Sequence, residues 1–328
     1  MKIRLPGLFF SVAVCLFASP SAFAWGCKGH QTIALIAKKY LTPAATKLAN
    51  DMLAIDPGRP IPTSGVCSTA NLDSYAAGAT WADAVRQKGL DDGWHYIDIP
   101  RGGDQTLISA ICAKPASCVT AAIQAQMGVL EDSSADPKLR AAALRYILHF
   151  AGDIHQPLHC TTNGDRGANC VPVTYFKSKP SPSKNNPDDY SPNLHGIWDT
   201  QMVEKDMTAM GAANVQAYAD ALNTAFKTQI AVWQLEPINP EDWAWDSHQH
   251  AEDIAYGDLP KVIAIDPHPD AELTTCSDNN RVGNRMFHKH IKLGQPYQDD
   301  ASDVIRERLA MAGIRLAMLL NDAATKVH

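Results

Sequence analysis

Apolar residues recur at helical spacing along almost the whole of this chain, and no convincing run alternates with the period of two that a half-buried strand requires. That argues against sandwiches, barrels and parallel-sheet folds and leaves a bundle of helices. The segments 31–41, 74–87, 120–130, 138–154, 194–207, 212–233, 242–255 and 301–322 each read as a helix. In the first, Ile33, Ile36, Ala37 and Tyr40 share a face, and in the last Leu309, Gly313, Leu316 and Leu320 form a stripe suited to burial. Pro192 and Asn193 make a reasonable helix start before residue 194. Two stretches read as irregular, 50–71 and 177–193, both rich in turn-forming residues. Helical pattern with matching chemistry flanks 177–193, so it reads as a surface loop within one all-α domain.

The N-terminus follows different rules. Lys2 and Arg4 precede an apolar stretch over 8–18, and Ala22-Phe23-Ala24 has the form of a cleavage site, so 1–24 reads as a secretory signal peptide and 25–328 as the mature domain. Cleavage after Ala24 makes Trp25 the new terminus, with a free α-amine that can bind a metal once deprotonated. The protein is expected to be secreted or periplasmic, and the lack of an N-x-S/T sequon favours a bacterial exporter.

Export implies an oxidising compartment. Cys15 leaves with the signal. The short spacings suggest Cys112–Cys118 and Cys160–Cys170 bridges, with Cys27, Cys67 and Cys276 supplying one more bridge and one spare thiol. No pair has the C-x-x-C spacing of a cysteine metal site. Loss of Lys2 and Arg4 takes the 29 basic residues down by two against 35 acidic ones, a formal charge of about −8. Such a chain does not hold a polyanion by Lys and Arg alone. Bound metal would supply the missing positive charge.

The twelve histidines become informative by their position relative to Asp. His149 and Asp153 are four apart inside one helical pattern, and His195 and Asp199 are four apart inside another. Residues i and i+4 lie on one helix face about a turn apart, so each pair can point into one site. Imidazole and carboxylate together are ordinary metal ligands. Pro157 should end the first of these helices and leave His159 on a turn, while His155 falls on another face and reads as structural or supporting. Upstream, Asp83 and Arg86 fall near one face of a helix in Trp81-Ala82-Asp83-Ala84-Val85-Arg86, and His95 sits beside Trp94 and Tyr96. His248, His250, His268, His288, His290 and His328 suggest no role.

The order Trp25…His30, Trp81-Ala82-Asp83, His95-Tyr96-Ile97-Asp98, His149…Asp153…His159 and Asn193-Leu194-His195-Gly196-Ile197-Trp198-Asp199 resembles the zinc-dependent single-strand-specific nucleases, or 3′-nucleotidases, of the S1/P1 type. These belong to the phospholipase C/nuclease superfamily, and the resemblance runs from Trp25 to the C-terminal helix. It implies an all-α, disulfide-bonded bundle with a trinuclear zinc site. One Zn2+ would be held by Asp83, His95, His149 and Asp153, and a second by His159, His195 and Asp199. The third would be held by the Trp25 amine and carbonyl, His30 and a bridging Asp153. The resemblance further implies that Arg86 and Asn169 meet the phosphate, and that Tyr96 and Asp98 form a base pocket. Asp83 would assist the attacking water. This sequence departs from the pattern at Ala168, where a second glycine is usual, and at Ala82, where some relatives carry an aromatic.

The implied activity is hydrolysis of single-stranded DNA and RNA to 5′-phosphorylated products by metal-activated water, with 3′-nucleotidase activity. The partners implied are single-stranded nucleic acid and nucleotides, with no membrane and no obligatory protein partner. Two alternatives stay open at the level of sequence: a zinc phospholipase C acting on phosphatidylcholine-type lipids, and a non-catalytic metal-binding protein.

Overall fold

The computed structural model describes residues 25–327, apart from 60, 62–66, 88, 114–116, 185, 267–274 and the side chains of 279 and 280. The segment read as a signal lies outside the described residues, as do His268 and His328.

The first apolar stripe forms α1 (Cys27–Lys39), whose Ile33, Ile36 and Ala37 are fully buried. Next comes α2 (Pro43–Leu53), started by the Thr42 side chain accepting from Ala45 N and by Pro43 in the first turn. The irregular stretch therefore begins about four residues later than the composition suggests. The helix expected over 74–87 is broken in two, α3 (Ser74–Ala79) and α4 (Trp81–Val85). The break falls at Thr80, whose hydroxyl donates to Ala77 O at 3.1 Å and draws the backbone out of helical register. Arg86 lies beyond α4 in extended conformation, so it does not share a helical face with Asp83.

A short α5 (Leu107–Ile111) follows, and then the hairpin of α6 (Val119–Glu131) and α7 (Pro137–Asp153). Asp136 caps α7 by accepting from Lys138 N. Beyond a loop come α8 (Leu194–Gly196), capped by the Asn193 side chain, a π-helical turn over Ile197–Gln201, and α9 (Met202–Ala209). The stretch 212–233 splits at Phe226 into α10 (Val215–Ala225) and α11 (Lys227–Trp233). The chain ends with α12 (Pro240–His250), a second π-helical turn over Ala251–Tyr256, α13 (Asp278–Phe287) and the 32-residue α14 (Gln295–Lys326).

The core is helix on helix. α14 packs on α1, α2 and α7 with Leu309, Leu316 and Leu320 buried, α1 also meets α3 and α10, and α6 lies along α7. Strands are minor, in keeping with the all-α class. Val173–Tyr175 (β1) and Ile291–Leu293 (β4) pair in parallel, and Ser181–Pro182 (β2) and Tyr190–Ser191 (β3) pair antiparallel within the 177–193 loop. No described helix is long and apolar enough to cross a membrane.

Three disulfides link Cys27–Cys67, Cys112–Cys118 and Cys170–Cys276. The expected Cys160–Cys170 bridge is absent and Cys160 is a buried free thiol. Its Sγ turns inward to Ile154 O, whereas Cys170 faces Cys276 in a separate small cluster with Val282. Ten residues of separation set no direction for a side chain, and direction decides which thiols can join.

Candidate metal centre

α7 supplies the centre of the site. Its last turn carries His149 and Asp153 on one face, with His149 Nε2 3.3 Å from Asp153 Oδ2. The helix stops there because Gln156-Pro157 opens a 3-10 turn, Pro157–His159, capped by the Gln156 side chain. Two more groups reach His149 and Asp153 from outside. Asp83 comes from α4, with Oδ1 3.5 Å from His149 Nε2, and His95 from the 3-10 turn Asp92–His95, with Nδ1 3.0 Å from Asp153 Oδ2. His95 Nδ1 also lies 3.6 Å from Asp83 Oδ1 and 3.1 Å from His149 Nε2. A tetrahedral metal with bonds of about 2.0–2.1 Å places its ligand atoms about 3.3–3.4 Å apart. These spacings fall around that value.

The second group stands alongside. His159 and His195 face each other with Nε2 atoms 3.1 Å apart, and Asp199 Oδ2 is 3.2 Å from His195 Nε2. Asp199 sits in the π-helical turn, and Gln156 donates Nε2–H to its Oδ1 at 2.6 Å. Three protein ligands leave a fourth position open, the usual arrangement of a catalytic metal.

The third group forms where α1 meets α7. His30 Nε2 is 3.3 Å from Asp153 Oδ1, and its ring stacks on His149 at 3.8 Å. Gly152 permits this approach, since a Cβ there would stand 2.7 Å from His30 Nδ1. Trp25 is buried at the start of this helix and His30 N reaches its carbonyl at 3.4 Å. Asp153 thus touches two groups, one through each oxygen.

The orientation of the rings is set by the backbone. His149 Nδ1 bonds Ala79 O, His159 Nδ1 bonds His95 O and His195 Nδ1 bonds Gly167 O, each at 2.7 Å. A carbonyl can only accept, so Nδ1 carries the proton and the Nε2 lone pair is turned into the site. His95 presents Nδ1 instead. The Gly167 carbonyl is held by a tight loop in which Gly164, Arg166, Gly167 and Ala168 all have positive φ. Buried Asp165 knits that loop, accepting from Ala168 N at 2.9 Å and from Tyr256 Oη at 2.9 Å.

The electrostatics call for a cation. His30 Nδ1 and Nε2, Asp83 Oδ1, Asp153 Oδ1 and Asp199 Oδ2 are all buried without a hydrogen-bond partner. Each such group costs about 1–3 kcal/mol if left so. Burial works to lower the His149 pKa, but Asp153 and Asp83 outweigh it and push it up to about 10. Burial alone would raise Asp83, yet His149 and His95 hold it at about 2. The carboxylates thus favour positive charge at His149 Nε2, the place a bound cation would take. Burial, reinforced by His195, takes His159 down to about 4, so it stays a neutral donor.

Three groups of donor atoms result, each within 4.8 Å: His30, His149 and Asp153; Asp83, His95 and His149; His159, His195 and Asp199. Imidazole nitrogens with carboxylate oxygens, orphaned and buried, fit a borderline divalent metal. The other sequence-derived candidates make contacts of their own. Arg86 donates Nε–H to Asp92 Oδ1 at 2.6 Å; burial lowers its pKa, but Asp83 and Asp92 more than offset this, which places the cation beside the first group. Asn169 donates Nδ2–H to Arg166 O at 2.9 Å in the Gly167 loop. Tyr96 is half-buried and Asp98 exposed between the buried Ile97 and Ile99, and Ile99 N donates to Ile97 O at 3.0 Å across a tight turn at Asp98. His155 stays outside all three groups, accepting from Arg315 at 3.0 Å. Gln156, Asp165 and Tyr256 escaped sequence reasoning, because each acts through a neighbour and none has a ligand's spacing.

With this geometry in view, the S1/P1 nuclease family model matches residues 25–325. The chain belongs to the S1/P1 nuclease family. Nuclease S1 of Aspergillus oryzae (strain ATCC 42149 / RIB 40) is 27% identical over 328 residues, covering 98% of this chain and 99% of that protein. Nuclease P1 of Penicillium citrinum is 26% identical over 316 residues, 91% of this chain and 97% of its own length. Endonuclease 2 of Arabidopsis thaliana is 25% identical over 323 residues, 93% and 92% respectively. The S1/P1 match begins at Trp25, and every donor atom described above falls within it.

Proposed function

We propose that this chain is a zinc-dependent endonuclease and 3′-nucleotidase that hydrolyses single-stranded DNA and RNA to 5′-phosphorylated products. The observation that carries the reading is the orientation of His149, His159 and His195, each donating from Nδ1 to a carbonyl and turning Nε2 toward a buried carboxylate. Asp83, His95, His149 and Asp153 would hold one Zn2+, and His159, His195 and Asp199 a second. Trp25, His30 and Asp153 would hold a third, once cleavage after Ala24 frees the terminal amine. Bound zinc supplies Lewis acidity and an activated water at neutral pH. Its six positive charges also explain how an acidic chain takes a polyanion.

The chain's own residues do the rest. Asp83 orients the attacking water and takes its proton through the carboxylate oxygen not turned to His149. Arg86, aligned by Asp92, and Asn169, on the Gly167 loop, hold the non-bridging phosphate oxygens. Tyr96 stacks on a base and Asp98 meets its edge. A base can do this only outside a duplex, which gives the single-strand preference.

The test is zinc content of the processed protein together with release of acid-soluble nucleotides from single-stranded DNA. Three zincs per chain, with activity lost to chelator and restored by zinc, are expected. Three zincs with hydrolysis of phosphatidylcholine but not of DNA would replace this reading with the phospholipase one.

A further inference from the structure

Phe176 stands out on the surface. Its φ is +52°, a left-handed conformation that is an outlier for a bulky side chain. It sits in a tight turn in which Tyr175 N donates to Ser178 O and Ser178 N to Tyr175 O, both at 3.0 Å, and the residue is 38% exposed. Asn or Gly would hold this turn with less strain, and among the described residues the ring's one aromatic neighbour is Tyr175, met edge-on at 4.8 Å.

Its surroundings are basic. Phe176 lines a groove of about 630 Å3 with Lys177, Lys205 and Lys292. Lys205 Nζ stands over one face of the ring at 4.2 Å. None of the three lysines is within ion-pair distance of a carboxylate among the described residues. Glu204, the acidic neighbour of Lys205, is taken by Lys28 at 2.8 Å. On a chain with a net charge of −6, three unneutralised lysines around an exposed ring are a local reversal of sign.

The groove is tied to the metal centre through its supports. Lys205 lies six residues beyond Asp199 on the same continuous helical run, about 9 Å along an axis that rises about 1.5 Å per residue. Phe176 follows β1, which leaves the loop carrying Gly167 and Asn169. Six residues also turn Lys205 off the helix face that carries Asp199, so the groove lies outside the metal centre.

We propose that Phe176, Lys177, Lys205 and Lys292 form an accessory site that grips single-stranded nucleic acid away from the cleaved bond, with a base stacked on the exposed part of Phe176 and phosphates at the lysines. The combination of a stacking ring with backbone-tracking cations is that of sequence-tolerant single-strand binding. The proposal rests on the nuclease reading for its choice of polyanion.

The test compares the wild-type protein with the K177Q/K205Q/K292Q triple variant and with F176A. Affinity for a long phosphorothioate DNA strand is read by fluorescence anisotropy, and KM is measured for long single-stranded DNA and for a dinucleoside monophosphate. The triple variant is expected to flatten the slope of log affinity against log salt by about 2, at about 0.7 per phosphate contact. F176A is expected to weaken long-strand binding about tenfold. The dinucleotide is too short to span both places, so its kinetics stay unchanged. Unchanged long-strand affinity and KM in both variants would overturn the site while wild-type cleavage leaves the nuclease reading standing. Equal losses on the dinucleotide would also overturn it. Wild-type strand binding lost in the variants, without cleavage by any of them, would sink the nuclease reading and keep the site. A loss confined to anionic lipid vesicles would overturn it in favour of a membrane surface.

Discussion

Substitution of Gly167 by Ala isolates the link between loop geometry and metal binding. Gly167 has φ +57°, and a Cβ added there would stand 2.4 Å from Leu158 O. An ordinary contact needs about 3.4 Å, so the loop must shift by about 1 Å. The Gly167 carbonyl accepts the His195 Nδ1 proton at 2.7 Å, and a shift of that size breaks the bond. Left-handed backbone costs Ala about 1–2 kcal/mol more than Gly. Losing the partner that fixes a metal-binding imidazole weakens affinity about 10–100-fold. Gly211→Ala is the control, because Gly211 also has positive φ, +69°, but no atom lies within 4 Å of the added Cβ. Both variants should lose stability by a similar strain term in thermal unfolding. Only G167A should release one zinc per chain when dialysed against a competing chelator, with activity falling alongside. Equal zinc retention by G167A and G211A would refute the argument that the Gly167 carbonyl sets the His195 ring.

Asp153→Asn should release more metal than loss of any other carboxylate, since one oxygen faces His30 and the other faces His95 and His149; full zinc content by elemental analysis would remove the bridging role. Tyr96→Ala is expected to weaken single-strand binding by about 1–3 kcal/mol with zinc content unchanged, and undiminished affinity in a binding titration would dismiss the stacking role. The double variant C170S/C276S opens a crosslink spanning 106 residues and should lower stability by about 2–5 kcal/mol in denaturant unfolding. Cys160 should resist maleimide until the protein unfolds, because its thiol is buried and burial pushes its pKa up; rapid native labelling would contradict its placement.

The helical class and the pairs His149/Asp153 and His195/Asp199 were legible because they depend on local geometry: residues four apart on a helix share a face whatever the rest of the chain does. The ordered motifs carried the family, since they recur as a set from Trp25 to Asp199. Sequence could not place breaks that depend on a single hydroxyl, as at Thr80, and composition hid α2 behind the loop that follows it. It could not choose disulfide partners, because Cys160 and Cys170 are near in the chain but face different parts of the core. Above all, bringing His30, Asp83 and His95 onto the last turn of α7 is a matter of how α1, α4 and a 3-10 turn pack. The carbonyls of Ala79, His95 and Gly167 carry no sequence signal at all, yet they decide which nitrogen each of His149, His159 and His195 offers, because a main-chain acceptor is specified only by where the folded backbone puts it.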